Sequence, residues 1–180
     1  MSLRSEARDE YAAVLRLSPD DPQAHNNLGL LLSEEGDLDG AIEHFKRALR
    51  VNPQSVEAHI NLGAAYRVGK ELDQAIAEYS IALQIDPTSA FAHNNLANAL
   101  AQQRRFNDAV VHYAAALQLN PAYAEAEFNW GNTMGEQGRF GDAIAHYREA
   151  LRIHPDYPDA TRGLARAQAA ASARTNAADE

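Results

Sequence analysis

Several features are scarce in this chain of 180 residues, and each scarcity excludes a class of site. Cysteine is absent, so the chain can form neither disulfides nor thiolate metal sites. Lysine occurs only at Lys46 and Lys70 and the formal net charge is −9, which argues against nucleic acid because phosphate binding requires clustered cations. No apolar run approaches the roughly 18 residues that span a bilayer. The charged opening lacks the apolar core of a signal peptide, so a cytoplasmic location is expected.

What the chain has instead is a repeat with a period of 34 residues. Prolines recur at this spacing, at Pro19, Pro53, Pro87, Pro121 and Pro155. Two further columns keep the same step, namely Leu28, Leu62, Leu96 and Trp130, and Phe45, Tyr79, Tyr113 and Tyr147. A period of this length is typical of stacked repeats, because a single repeat leaves its apolar face in water until a neighbour covers it.

Each period contains the pattern of two amphipathic helices. In the first complete unit, apolar residues at helical spacing predict one helix over Gln23–Ser33 and a second over about Leu38–Val51. Asp37 or Asp39 offers a cap for the second helix. Pro53 ends that helix because proline disfavours a helical conformation in the residue before it.

The period divides the chain into units of one repeat domain. We expect a half-repeat at 1–21 formed by a second-type helix, four complete repeats at 22–55, 56–89, 90–123 and 124–157, a capping helix at 158–172 and a tail at 173–180. The capping helix is expected to keep its outer side polar, as the end of a repeat array requires.

The residues at fixed positions resemble a known family. Leu28-Gly29, Leu32, Gly36, Ala41, Phe45, Ala48 and Pro53 are similar to the tetratricopeptide repeat pattern, over about Pro22 to Tyr157. Three positions depart from it, Ala97 and Arg104 in place of glycine and Trp130 in place of leucine. The resemblance implies an all-α, right-handed superhelical solenoid whose first helices line a concave groove.

An asparagine column on the first helices is not explained by packing. Its members are Asn27, Asn61, Asn95 and Asn129. Asparagine inside a helix costs roughly 0.5–0.7 kcal/mol relative to alanine. Its amide carries both a donor and an acceptor, which is what a peptide main chain of any sequence requires. The column resembles the repeat region of O-linked N-acetylglucosamine transferases, where such asparagines hold a peptide by its main chain, although their catalytic portion has no counterpart here. The alternative is that these asparagines brace neighbouring helices or were copied during duplication.

Other residues are expected on the same face. Asn98, Asn132, Phe91, Phe128 and Ile60 are candidate peptide contacts, and packing between adjacent first helices is the alternative for the three apolar ones. A site for a terminal carboxylate would need cations, whereas acidic residues outnumber basic ones on this face. Only Arg162 and Arg166, beside Asn129 and Asn132, would favour such a site. We therefore expect an extended ligand that is neutral to basic.

Histidines form two further columns with no expected chemistry. They are His25, His59 and His93 on the first helices, and His44, His112 and His146 on the second helices. Equivalent residues of successive repeats lie roughly 10 Å apart, too far to share a zinc ion. The sequence also lacks a phosphate loop, a dinucleotide fingerprint and a nucleophile elbow. We expect no catalytic residue, no metal and no cofactor.

These observations favour a non-catalytic protein-interaction module that binds an extended peptide or partner segment through the asparagine column. Two alternatives remain. The chain could be a scaffold that self-associates through its repeat ends, with the half-repeat at Arg4 to Leu17 docking on another copy, or the substrate-recognition arm of a larger glycosyltransferase.

Overall fold

A computed structural model describes residues 3–176, and the side chains of residues 6–174. Within that range the chain forms ten helices and no strand: α1 (Leu3–Leu17), α2 (Pro22–Glu35), α3 (Leu38–Val51), α4 (Val56–Val68), α5 (Leu72–Ile85), α6 (Ala90–Gln102), α7 (Phe106–Leu119), α8 (Ala124–Glu136), α9 (Phe140–Ile153) and α10 (Pro158–Asn176). The prediction of an all-α fold built from helix–turn–helix repeats is confirmed.

One predicted helix has its expected bounds, and two are longer than expected. The helix expected over Leu38–Val51 has those bounds. The helix expected over Gln23–Ser33 extends over Pro22–Glu35, and the last helix was expected to end at residue 172 and continues to Asn176. Arg174 in its last turn donates to the carbonyl of Gly138 at 3.0 Å, which holds the extension against the α8–α9 turn. Residues 1–2 of the expected half-repeat and 177–180 of the expected tail lie outside the described residues.

The helices alternate between two types, which we name A helices (α2, α4, α6, α8 and α10) and B helices (α1, α3, α5, α7 and α9). The chain divides into an N-terminal unit that ends at Ala99 and a C-terminal unit that begins at Leu100. In the N-terminal unit, α2 packs against α1, α3 and α4, and α4 also packs against α3 and α5. In the C-terminal unit, α8 packs against α7, α9 and α10, and α10 also packs against α9.

An aromatic ring on the B helix fixes the spacing of each pair. A Cβ atom added to Gly29 would lie 2.6 Å from the ring of Phe45, and one added to Gly63 would lie 2.8 Å from the ring of Tyr79. Both rings are fully buried. Glycine therefore lets the A helix approach the ring closely, as the repeated glycine and aromatic columns require.

The turn between the A and B helices has the same left-handed conformation in all four repeats. Its φ is +86° at Gly36, +64° at Lys70, +61° at Arg104 and +70° at Gly138. Glycine adopts this conformation without strain, whereas a side chain costs about 1–2 kcal/mol. Lys70 and Arg104 therefore show that the packing of the two helices imposes this turn even without glycine.

Side-chain caps begin several helices of the N-terminal unit. Asp21 accepts from the amide of Ala24 at 2.7 Å, and Ser55 accepts from the amide of Ala58 at 3.2 Å. Asp37 accepts from the amide of Gly40 at 3.0 Å, so Asp37 rather than Asp39 is the cap of α3. These caps satisfy amides that have no partner within the helix.

Candidate functional site

The asparagine column lies on the A helices in partly buried positions. In the N-terminal unit, Asn27 and Asn61 are half-buried, whereas Asn95 is buried with 8% of its surface exposed. In the C-terminal unit, Asn129 is half-buried. The predicted site residues Asn98 and Asn132 are also half-buried.

Asn61 belongs to a network that joins two A helices. Its amide nitrogen donates to the side-chain oxygen of Asn26 at 3.0 Å, and the amide nitrogen of Asn26 donates to Glu57 at 2.9 Å. Asn26 is 4% exposed, so its donor and acceptor both need partners. This network runs from α4 to α2 and back, and it gives Asn61 the bracing role that the sequence left as an alternative.

Two groups of the same column, on Asn27 and Asn61, have no hydrogen-bond partner among the described residues. Asn27 accepts from Gln23 at 3.3 Å, which occupies its oxygen and leaves its amide hydrogens unused. Asn61 keeps its oxygen as an unused acceptor. The column therefore offers one donor from α2 and one acceptor from α4, the two groups that a peptide unit can satisfy.

Asn132 of the C-terminal unit forms a hydrogen bond to the aromatic residue beneath it. The hydroxyl of Tyr147 donates to the side-chain oxygen of Asn132 at 2.7 Å. Burial raises the pKa of Tyr147, and so does the nearby carboxylate of Glu136, while Arg166 opposes them. The phenol is thus protonated at neutral pH and acts as the donor, and the amide hydrogens of Asn132 stay unused within the described part of the chain.

The three apolar candidates are exposed to very different degrees. Phe91 is 52% exposed and offers a ligand most of one ring face. Ile60 is 7% exposed and offers little surface. Phe128 is half-buried, with its ring 5.0 Å from that of Tyr157 and 5.9 Å from that of Tyr147.

A small cleft lies between α2 and α4 above the ring of Phe45, and we call it the first cleft. Its volume is about 130 Å³. Its lining includes Leu30, Ser33, Phe45, Asn61, Ala64 and Val68. Leu30 and Val68 are 38% and 58% exposed, so the mouth of the first cleft is apolar.

A larger cleft lies between α8 and α10 above the ring of Tyr147, and we call it the last cleft. Its volume is about 450 Å³. The six residues that correspond to those of the first cleft, three repeats later, are Asn132, Gly135, Tyr147, Gly163, Arg166 and Ala170. Glu136 and Phe140 also line it. Gly163 occupies the position that asparagine holds in the four complete repeats.

Family models match nearly the whole described chain. Tetratricopeptide repeat models match residues 3–50, 28–90 and 90–123, and a TPR repeat model matches residues 131–171. The chain belongs to the tetratricopeptide repeat family. The family predicted from the repeated residues is thus confirmed.

Solved structures with the same fold include other tetratricopeptide proteins. TTC0263, a thermophilic TPR protein in Thermus thermophilus, is 23% identical with a TM-score of 0.79, and the match covers 92% of this chain and 90% of that one. The crystal structure of the MamA protein is 26% identical with a TM-score of 0.71, and the match covers 88% of this chain and 86% of that one. A second MamA crystal structure is 21% identical with a TM-score of 0.73, over 86% of this chain and 96% of that one. A search of curated proteins gave no match.

Tetratricopeptide repeats are in general non-catalytic scaffolds for binding other proteins, and this chain has their fold. None of the described helices is long and apolar enough to cross a membrane. Residues 1–99 contain fifteen acidic and eight basic residues, and residues 100–180 contain ten and eight, so most of the negative charge lies in the N-terminal unit.

The histidine columns of these tetratricopeptide repeats form polar pairs between the A and B helices. Nδ1 of His25 lies 2.8 Å from Nδ1 of His44, and Nδ1 of His59 lies 2.6 Å from a carboxylate oxygen of Glu78. In the last repeat the order is reversed, and Nδ1 of His146 lies 2.7 Å from Glu127. Within residues 6–174 no group of three or more metal-ligating side chains could hold a metal ion.

The second nitrogen of each A-helix histidine anchors the preceding loop. Nε2 lies 2.9 Å from the Pro19 carbonyl in His25, 3.1 Å from the Pro53 carbonyl in His59 and 3.2 Å from the Pro87 carbonyl in His93. Since a carbonyl only accepts, Nε2 carries a proton in each case. In the tautomer that carries its proton on Nε2, Nδ1 of His25 accepts a hydrogen bond from Nδ1 of His44. These histidines have a structural role in joining helix pairs to loops.

Sequence reasoning missed the features that distinguish the two clefts. Arg166 was considered only as a contact for a terminal carboxylate, and Gly163 was outside the predicted site. Their positions three repeats earlier hold Ala64 and Asn61. Comparing equivalent positions of different repeats would have identified both departures. The hydrogen bonds of Asn26 could not have been found in this way, because they depend on side-chain conformations.

Proposed function

We propose that this protein binds an extended segment of another protein on the A-helix face of its N-terminal unit, through the main chain of that segment. The observation that carries the proposal is the complementary pair of unused groups, the amide hydrogens of Asn27 and the side-chain oxygen of Asn61. A peptide unit presents one carbonyl and one amide, and each would find a partner here.

Apolar surface beside these groups supplies anchors for the segment. Leu30 and Val68 flank the first cleft beside Asn61, and Phe91 is exposed on α6. Exposed apolar side chains at a binding surface contribute more to affinity than the polar contacts around them. With a few amide contacts of about 1 kcal/mol each and one or two anchors, we expect an affinity in the micromolar range.

Charge favours a partner segment that is neutral to basic. Glu34 and Glu57 are exposed on the same helices, and the N-terminal unit has nearly twice as many acidic as basic residues. Acidic segments would be repelled by this field. The remaining predicted contacts, Asn95, Asn98, Asn129, Asn132, Phe128 and Ile60, stay predictions.

The proposal is tested by Asn27→Ala in a peptide-library screen. The alanine removes an unused donor and only a weak contact to Gln23, so we expect peptides to bind about fivefold more weakly without a loss of thermal stability. Gln74→Ala on the B helix α5 is the matched control, because it removes an exposed amide on another face. Affinity is measured by fluorescence anisotropy with the peptides that the screen selects.

Asn61→Ala separates peptide binding from bracing. It removes both the unused oxygen and the donor to Asn26, so it should weaken binding and lower the free energy of unfolding by about 1 kcal/mol. If Asn27→Ala and Asn61→Ala bind the selected peptides as tightly as the unaltered protein, the asparagines only brace the helices and the proposal is wrong.

A further inference from the structure

The last cleft is lined by smaller residues than the first cleft at three equivalent positions. Ser33, Asn61 and Val68 of the first cleft correspond to Gly135, Gly163 and Ala170 of the last cleft. The helix pairs are otherwise built alike, with an aromatic ring as the floor in both. These three replacements accompany the increase in volume from about 130 to about 450 Å³. Cavities of roughly 300 Å³ or more are large enough to hold a small molecule.

Polar groups of both signs surround this volume. Arg166 lines the wall from α10 and Glu136 lines the wall from α8. Within the described residues neither forms an ion pair with the other or with a third residue, although five pairs of arginine and acidic residues within one helix do form elsewhere. The amide hydrogens of Asn132 add an unused donor above the ring of Tyr147.

The two unpaired charges restrict the chemistry of an occupant. An anion would be attracted by Arg166 and repelled by Glu136, and a cation would experience the reverse. An occupant with one group of each sign satisfies both walls, and an apolar body would cover the Tyr147 ring, Phe140 and Ala170. The pattern of an apolar floor with few oriented polar groups is typical of small-molecule sites.

We propose that the last cleft binds a small zwitterion with an apolar side chain, between a large free amino acid and a dipeptide in size. Its carboxylate would contact Arg166 and the amide of Asn132, and its ammonium group would contact Glu136. This site lies within the C-terminal unit and does not depend on the peptide-binding surface proposed for the N-terminal unit.

The test is an NMR titration of the full chain with L-phenylalanine and with glycyl-L-phenylalanine. We expect saturable shifts of backbone amides in α8 and α10 for at least one probe, with a dissociation constant on the order of 0.1–1 mM for a ligand of this size. N-acetyl-L-phenylalanine amide, which has no charge, should bind at least tenfold more weakly.

Variants locate the site and separate charge from shape. Glu136→Gln and Arg166→Gln should each weaken binding about fivefold to tenfold. Glu34→Gln, the equivalent of Glu136 three repeats earlier, is the matched control and should leave the affinity unchanged. The double substitution Gly135→Ser with Ala170→Val restores two residues of the first cleft, so it should fold and lose binding. A Cβ atom at Gly135 has its nearest neighbour at 3.9 Å, which is ordinary contact.

Three results would overturn the proposal. They are the absence of saturable shifts with both zwitterions at 10 times the expected dissociation constant, equal binding of the uncharged analogue, and unchanged binding by a folded Gly135→Ser, Ala170→Val variant. Because Asn27→Ala lies in the other unit and should not alter this titration, a failure here is distinguishable from a failure of peptide binding.

Discussion

The first and last clefts occupy the same position in two repeat pairs, yet one is nearly filled and the other is open. Both are bounded by two A helices and floored by a B-helix ring, Phe45 in one and Tyr147 in the other. The residues that line them occupy equivalent positions, so the difference between the two side-chain sets can be read directly.

This difference shows how a repeat array acquires distinct sites. The positions that hold each helix pair together, such as the glycine under the ring, are the same in both clefts. The residues that line the clefts between A helices differ, since Ser33, Asn61 and Val68 of the first cleft correspond to Gly135, Gly163 and Ala170 of the last cleft. The lining of a cleft can thus change while the tetratricopeptide repeat keeps its fold.

The largest effect on stability is expected when the aromatic ring at the floor of either cleft is removed. Phe45→Ala should reduce the free energy of unfolding by about 3–5 kcal/mol, because the fully buried ring leaves a cavity. Tyr147→Ala should reduce the free energy of unfolding by about 1 kcal/mol less than Phe45→Ala, because Tyr147 lines the last cleft and water can enter the space that its ring leaves. Urea unfolding followed by circular dichroism measures both. Equal losses of unfolding free energy in the two variants would show that the open cleft does not reduce the cost of the cavity left by the ring.

A smaller effect is expected from two glycines of α8, one under the ring and one in the last cleft. A Cβ atom at Gly131 would lie 2.9 Å from the Tyr147 ring, so Gly131→Ala should destabilise the protein by about 1–3 kcal/mol. The Cβ atom of Gly135→Ala would have room, and alanine should stabilise the helix by up to about 1 kcal/mol. Thermal melts of the two variants should therefore shift in opposite directions. A lower melting temperature for Gly135→Ala would contradict the open geometry.

The smallest effect concerns the pair of His25 and His44 in the first complete repeat. Burial, then His25 and Arg47, hold the pKa of His44 below its ordinary value of 6.5, although Glu43 and Asp37 oppose this shift. The unfolded chain then binds more protons near this pH, so stability is full above 6.5 and is lost as the pH falls through the lowered pKa of the folded state. His44→Gln should flatten this dependence in urea titrations between about pH 7 and 5. An unchanged slope in the variant would assign the effect to other groups.

The fold was predictable from the sequence because its signals are local and repeated. Pro53 and its equivalents mark where the B helices end. The columns that contain Gly29 and Phe45 mark where the A and B helices of a repeat meet. The site was predictable only as a set of positions. Whether Asn61 donates to Asn26 or to a ligand depends on a side-chain conformation, and the volume above Tyr147 depends on how the side chains around it pack.

Three loops between repeats are anchored by a hydrogen bond from a histidine ring to a proline carbonyl. The loops before α2, α4 and α6 each have this contact, from His25, His59 and His93. At the corresponding position of α8 stands Glu127, whose carboxylate contacts Nδ1 of His146 at 2.7 Å and has no ring N–H to offer the carbonyl of Pro121. The loop that enters the fourth repeat therefore lacks a hydrogen bond that the three preceding loops share. We expect it to open more often than those three loops, so that hydrogen exchange and proteolysis affect its main chain first among the four.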